Sequence, residues 1–507
     1  MTTFTTPTRR TDRTTGLHYA ETPVRQRAVL TCGSWRRVTR RIVCGLTCAL
    51  TVSSLLMPSI SFAAEWVEVD GAPYYAGAAA GDGSTWAWNG ADDMTLNGYN
   101  GGSITAGGKL NVSYEGNNTV ANEYGDGIFV VDGANEGAEL NISGTGTLTA
   151  TAEGNALYSS GDMTISGTGA VTAKSGSGEG ILADGDMTIT GGGTVDACSE
   201  RDCGIVAEET LTVSNSTLTA QGFGSGIYAF DGLTIDAATV RAYAYPARED
   251  SPTAIYTDEG DITIKNGSLV HAYAEGENAA GISSYYFCPD GSGGRIFISD
   301  STVEAIAHYI NRDNDNQPLP PICYSDFVVV EPDATARTFG IIAITENGLT
   351  PATISITRSR VTAEGDTAAI LAVVNSGDGS ISGTIDIVDS IIETPDGGRI
   401  CDVHFVDNET DDILHQRGQT IGTASDVITD LYSNAIAKRA VIVPVETPQA
   451  KPESKPKVTT AATTIKYVDT KDTLAATGDA SVMGAVAAAI TGMAAVIAGI
   501  FTSRKRS

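Results

Sequence analysis

One short segment returns six times in the middle of the chain: Leu140-Asn141-Ile142, Met163-Thr164-Ile165, Met187-Thr188-Ile189, Leu211-Thr212-Val213, Leu233-Thr234-Ile235 and Ile262-Thr263-Ile264. The last residues of these copies lie 23, 24, 24, 22 and 29 positions apart. A second segment follows a few residues later, as Leu148-Thr149-Ala150, Val171-Thr172-Ala173, Val195-Asp196-Ala197 and Leu218-Thr219-Ala220. A third precedes the units, as Gly127-Ile128, Gly180-Ile181, Gly204-Ile205, Gly226-Ile227, Gly281-Ile282 and Gly340-Ile341. Each segment alternates apolar and polar residues and is rich in Thr, Val and Ile, which is the pattern of a strand and not of a helix. Three strands and three turns in every ~22–30 residues form one triangular coil of a solenoid. Stacked coils pair equivalent strands about 4.8 Å apart, so backbone groups are satisfied between repeats. The expected fold class is therefore all-β, a right-handed parallel β-helix with three short strands per coil.

The repeat sets the domain layout. The solenoid is expected over 102–399, with an excursion at 309–338 where Asn311-Arg312-Asp313-Asn314-Asp315 and Pro318 to Pro321 break the period. Residues 65–101, with Trp66, Trp86 and Trp88, are expected to cap the first coil, and 400–443 the last. Capping matters because open end strands invite aggregation. Residues 444–473 carry Pro444, Pro448, Pro452 and Pro456 among Lys and Glu and then a Thr-rich stretch, the composition of an extended spacer.

Both ends read as export signals. Arg36, Arg37, Arg40 and Arg41 lead into an apolar run from Ile42 to Ile60 that ends in Ser61-Phe62-Ala63-Ala64. A basic flank, an apolar core and small closing residues make 1–64 a secretory signal peptide; the alternative is an uncleaved anchor. At the other end, Leu474-Ala475-Ala476-Thr477-Gly478 precedes an apolar span, 480–501, and then Arg504-Lys505-Arg506. Twenty-two helical residues reach roughly 33 Å, enough to cross a bilayer with the cationic tail held inside. This order, within 474–507, resembles the LPxTG-type cell-wall sorting signal of Gram-positive surface proteins, in the LAxTG variant. The resemblance implies a sortase as partner, cleavage after Thr477 and covalent transfer to cell-wall peptidoglycan. The alternative is a plain tail anchor.

Between these signals, residues 65–478 hold 20 basic and 58 acidic groups, a net of −38. A surface this acidic repels phosphate backbones, so nucleic acid is excluded as a partner. Leu96-Asn97-Gly98-Tyr99, Gly125-Asp126-Gly127-Ile128 and the repeated Gly-Asp-Met-Thr-Ile at 161–165 and 185–189 resemble the Gly-rich β-helical carbohydrate-binding-domain proteins of bacterial surfaces. The resemblance spans roughly 85–395 and implies polysaccharide binding, with calcium in some members.

Within the solenoid, residues next to inward positions must point outward. Tyr158, Tyr228 and Tyr256 follow inward Leu157, Ile227 and Ile255 on one face. Arg241, Tyr243, His271 and Tyr273 project from another face around inward Val240 and Val270. Flat rings on a rigid face suit stacking against sugars; they also suit a ladder that only supports the coils. Asp162, Asp186 and Asp261 recur at one turn, where a carboxylate column would collect calcium or, alternatively, cap local backbone. No other cofactor is expected. Five cysteines follow the signal peptide: Cys198 and Cys203 flank one turn, Cys288 and Cys323 are placed to staple the excursion, and Cys401 is left over.

Parallel β-helices include polysaccharide lyases and hydrolases, which need a clustered acid/base or calcium-holding carboxylate set. Their Asn-Thr-Asp and Gly-His-Gly signatures do not occur here, and no Cys-x-x-Cys or His-x-x-x-His spacing occurs. The expectation is a non-enzymatic, wall-anchored surface protein presenting its solenoid for polysaccharide binding or adhesion. A β-helix lyase or hydrolase and a non-binding spacer are the alternatives.

Overall fold

The structure is a computed structural model that describes residues 63–132, 137–245, 251–276, 278–286, 294–309, 338–345, 350–374, 383–404, 424–429 and 436–445. Its strands form three long sheets of 14, 13 and 12 strands, each built by stepping to every third strand along the chain. Each sheet's interior is parallel, so the solenoid is a three-sheet parallel β-helix. The Gly-Ile segments form the first sheet, the Leu-Asn-Ile segments the second and the Leu-Thr-Ala segments the third.

Strict period-2 alternation sends one residue set inward, where narrow coils select branched aliphatics and Ala. In the first sheet a column of register partners runs Ile104–Ile128–Leu157–Ile181–Ile205–Ile227–Ile255–Ile282–Ile341–Ile370. Every member is fully buried. In the third sheet, Ala150, Ala173, Ala197, Ala220, Ala242 and Ala272 form an equivalent column of small residues. Parallel stacking starts at Asp93–Asn97, which pairs with Lys109–Glu115, and ends at Thr384–Val388. The ladders also continue across the 309–338 interruption, since Ala280–Tyr286 pairs in register with Phe339–Thr345.

Antiparallel strands end the stack at both sides. Trp66–Val69 pairs antiparallel with both Ala72–Tyr75 and Ile104–Gly107, and Trp86–Trp88 pairs antiparallel with Asp93–Asn97. Trp88 is fully buried there and donates its Nε1–H to the Ala91 carbonyl at 2.8 Å. At the other end, Arg439–Pro444 inserts antiparallel between Arg360–Gly365 and Ser390–Thr394, and Ala424–Thr429 between Ala368–Val374 and Arg399–His404. A reversed strand offers the wrong hydrogen-bond pattern for another parallel coil, which limits the array.

No helix among the described residues is long and apolar enough to cross a membrane. The signal peptide, apart from Ala63 and Ala64, the spacer, apart from Pro444 and Val445, and the sorting signal with its span at 480–501 all lie outside the described residues, as do Leu474, Ala475, Ala476, Thr477 and Gly478.

Candidate functional site

The third sheet brings Arg241, Tyr243, His271 and Tyr273 together. Arg241 is the register partner of His271 and Tyr243 that of Tyr273, each pair on adjacent strands. Inward Val240, Ala242, Ala244 and Val270, Ala272, Ala274 fix the orientation, and the four outward side chains are half-buried. Adjacent strands lie about 4.8 Å apart, a spacing that one sugar ring can bridge.

Three further groups complete this face. His271 Nδ1 lies 2.8 Å from Glu304 Oε2, with the two side chains 36% and 45% exposed, so the pair faces solvent. Tyr273 donates its hydroxyl to Glu275 Oε1 at 2.7 Å. The His308 ring meets Tyr273 edge-on, with centroids 5.9 Å apart. Burial raises the Tyr273 phenol well above its ordinary range, and the neighbouring Glu275 carboxylate adds to the effect. The Tyr243 phenol is also raised, first by burial, against the opposing pull of Arg241. Both rings therefore remain neutral hydrogen-bonding platforms at any physiological pH. Sequence reasoning missed Glu304, although its register follows from the Val240–Val270–Val303 column.

The first sheet corrects an expectation. Tyr158 and Tyr228 do point out of the coil, but they are 4% and 2% exposed, so their faces are closed to a ligand. Tyr158 stacks on Phe129 at 4.8 Å and donates to Asp184 Oδ2 at 2.9 Å. Tyr228 packs against Tyr256 with centroids 5.5 Å apart, and half-buried Tyr256 donates to Asp258 Oδ1 at 3.1 Å. Tyr228 shares an apolar cluster with Cys203 and Val206, against which Leu182, Phe230 and Tyr256 pack. Each of these rings is thus held by neighbouring side chains.

The aspartates are also distributed differently from the calcium expectation. Asp162 Oδ1 accepts the Asp186 amide N–H at 3.0 Å. Asp186 Oδ1 in turn accepts the Thr210 amide at 3.1 Å and the Thr210 hydroxyl at 2.6 Å. Asp261 stands three strands beyond Asp186 and holds Arg295 through Nε at 3.0 Å and Nη2 at 2.6 Å. Each carboxylate thus caps a turn or pairs with a cation, and no group of three His, Cys, Asp or Glu side chains converges among the described residues.

The cysteine pairing differs as well. Cys203 is disulfide-bonded, whereas Cys198 and Cys401 are in no disulfide, so a bridge between Cys198 and Cys203 is not formed. Cys288 and Cys323 lie outside the described residues.

Comparison of the chain with protein-family models, with curated proteins and with solved structures finds no match.

Proposed function

We propose that this chain is an exported, sortase-anchored surface protein that presents the third sheet of its solenoid to polysaccharide or to host surface glycans. The observation that carries the binding half is the register of Tyr243 with Tyr273, flanked by Arg241, His271 and Glu304. Two half-exposed rings on a rigid sheet supply a stacking surface, and charged groups beside them supply hydrogen bonds to sugar hydroxyls. The anchoring half rests on the order of Leu474–Gly478, apolar span and basic tail. The mature chain on a glycan array, with and without calcium, tests binding; no retained glycan in either condition contradicts it. Thr477→Ala tests anchoring: muramidase should no longer release the protein from cells, and continued covalent wall linkage contradicts the assignment.

A second reading, a non-binding surface spacer, is favoured by one contact. The Tyr273 hydroxyl is already held by Glu275, as expected of a ring that braces neighbouring coils.

A further inference from the structure

Four Lys and Arg side chains are half-buried among the described residues: Lys109, Arg241, Lys265 and Arg295. Three of them are matched by a carboxylate on the adjacent strand. Lys109 pairs with Glu139 at 2.9 Å, Lys265 with Asp236 at 3.5 Å and Arg295 with Asp261 at 2.6 Å. Arg241 is the fourth, and it has no carboxylate partner among the described residues. In a region with a net charge of −38, an unmatched half-buried cation is the exception.

The register explains why Arg241 is left over. It stands between Thr219 and His271 on the neighbouring strands, with Thr239 and Tyr243 outward on its own strand. The carboxylates of the same column, Asp196 and Glu304, are each two strands away, about 10 Å. Glu304 is held by His271 at 2.8 Å, and Glu275 accepts the Tyr273 hydroxyl. Both acids beside the tyrosines are thus engaged with other groups.

We propose that Arg241 is the carboxylate subsite of the Tyr243–Tyr273 face, and that the glycan taken there carries an acidic sugar, a uronate or a sialate. This rests on the proposed binding of glycan at that face. Arg241 and Tyr243 project from the same side of one strand with Cα atoms about 7 Å apart, and Tyr273 lies about 8 Å away on the diagonal. A pyranose ring lying on the tyrosines can therefore turn its carboxylate to the guanidinium, whose planar fork binds it through two parallel hydrogen bonds. Overall charge limits the ligand further. The negative surface opposes a polymer that is charged at every sugar. Its field fades over a screening length of about 8 Å at physiological salt, so a lone carboxylate between neutral sugars meets mainly Arg241. The acidic sugar is accordingly one spaced by neutral ones.

The test compares two matched pairs of probes by calorimetry. One pair is hyaluronan oligosaccharides and the same oligosaccharides with their carboxyls reduced to alcohols; the other is sialyllactose and lactose. The parent should hold the acidic member of at least one pair about tenfold more tightly, and the gap should narrow as salt rises. Which pair shows the gap distinguishes uronate from sialate. Arg241→Ala should bring the two members to equal affinity. Arg241→Lys keeps the charge without the fork and should restore only part of the preference. Melting temperatures of both variants check that the sheet is intact. Equal affinity of the parent for both members, or a preference that survives Arg241→Ala, overturns the inference and leaves glycan binding at the tyrosines standing. A parent that holds no member of either pair also overturns it, and the glycan array then decides separately whether the face binds other glycans.

Discussion

Gly226 lies against the backbone of Tyr243: a β-carbon on it would come within 2.7 Å of the Tyr243 nitrogen and 2.9 Å of its carbonyl oxygen. The same approach recurs at Gly180 against Cys198, Gly204 against Gln221, Gly281 against Ile306 and Gly340 against Glu364, all between 2.6 and 2.8 Å. The corner between the third and first sheets is thus closed by direct backbone contact at these five Gly-Ile segments, whose glycines make room for it. A β-carbon on Gly127 would instead meet the Ala156 carbonyl oxygen at 2.5 Å. Gly226→Ala should destabilise the fold by about 1–3 kcal/mol, as an overpacked site does, measured by urea unfolding. Ala156, Ala254 and Ala369 occupy the same column in other coils, so Ala254→Gly should not stabilise the protein. An unchanged unfolding midpoint for Gly226→Ala contradicts the close approach.

The Asp162–Asp186–Thr210 chain predicts a structural role for these carboxylates. Asp186→Ala removes two hydrogen bonds to Thr210 and should cost about 0.5–1.5 kcal/mol. Millimolar calcium should leave the melting temperature of the parent protein unchanged at this column. A rise of several degrees that Asp186→Ala abolishes would restore the metal reading.

Glu179 predicts a pH dependence. Burial, with the nearby carboxylates of Asp202, Glu208 and Asp184, pushes its carboxyl up from its ordinary 4.5 to about 7. The folded state therefore holds this proton more tightly than the unfolded chain does. Its stabilising effect is complete below about pH 4.5 and is lost as pH rises through about 7. Glu179→Gln should match the parent near pH 4.5 and exceed it at pH 8 by on the order of 1–2 kcal/mol, after allowance for partial solvent screening. Equal melting temperatures for parent and variant across that range contradict the assignment.

Much of this architecture is legible in the repeat. The spacing of Ile142, Ile165, Ile189, Val213, Ile235 and Ile264 is the spacing of one column in the second sheet, and alternation alone assigns them inward. Alternation does not report what lies against the outer face, which is why Tyr158 and Tyr228 read as exposed rings. The repeat shows a glycine before these Ile residues but not why it stands there. Gly180, Gly204, Gly226, Gly281 and Gly340 have ordinary φ, and only the folded corner shows the backbone that excludes a β-carbon. Arg295 lies 34 residues from Asp261, beyond any local pattern, yet the stack places it one strand away.

Glycan binding at the Tyr243–Tyr273 face is the part of the proposed function open to the most direct measurement. Its direct measurement is the affinity of the double variant Tyr243→Ala, Tyr273→Ala for a polysaccharide bound by the parent, taken together with its melting temperature. Loss of stacking rings from a site costs on the order of 1 kcal/mol or more, several-fold to tenfold in affinity. The expected result is that loss at an unchanged melting temperature. Unchanged affinity with a lowered melting temperature would make the pair a brace between coils and contradict the account.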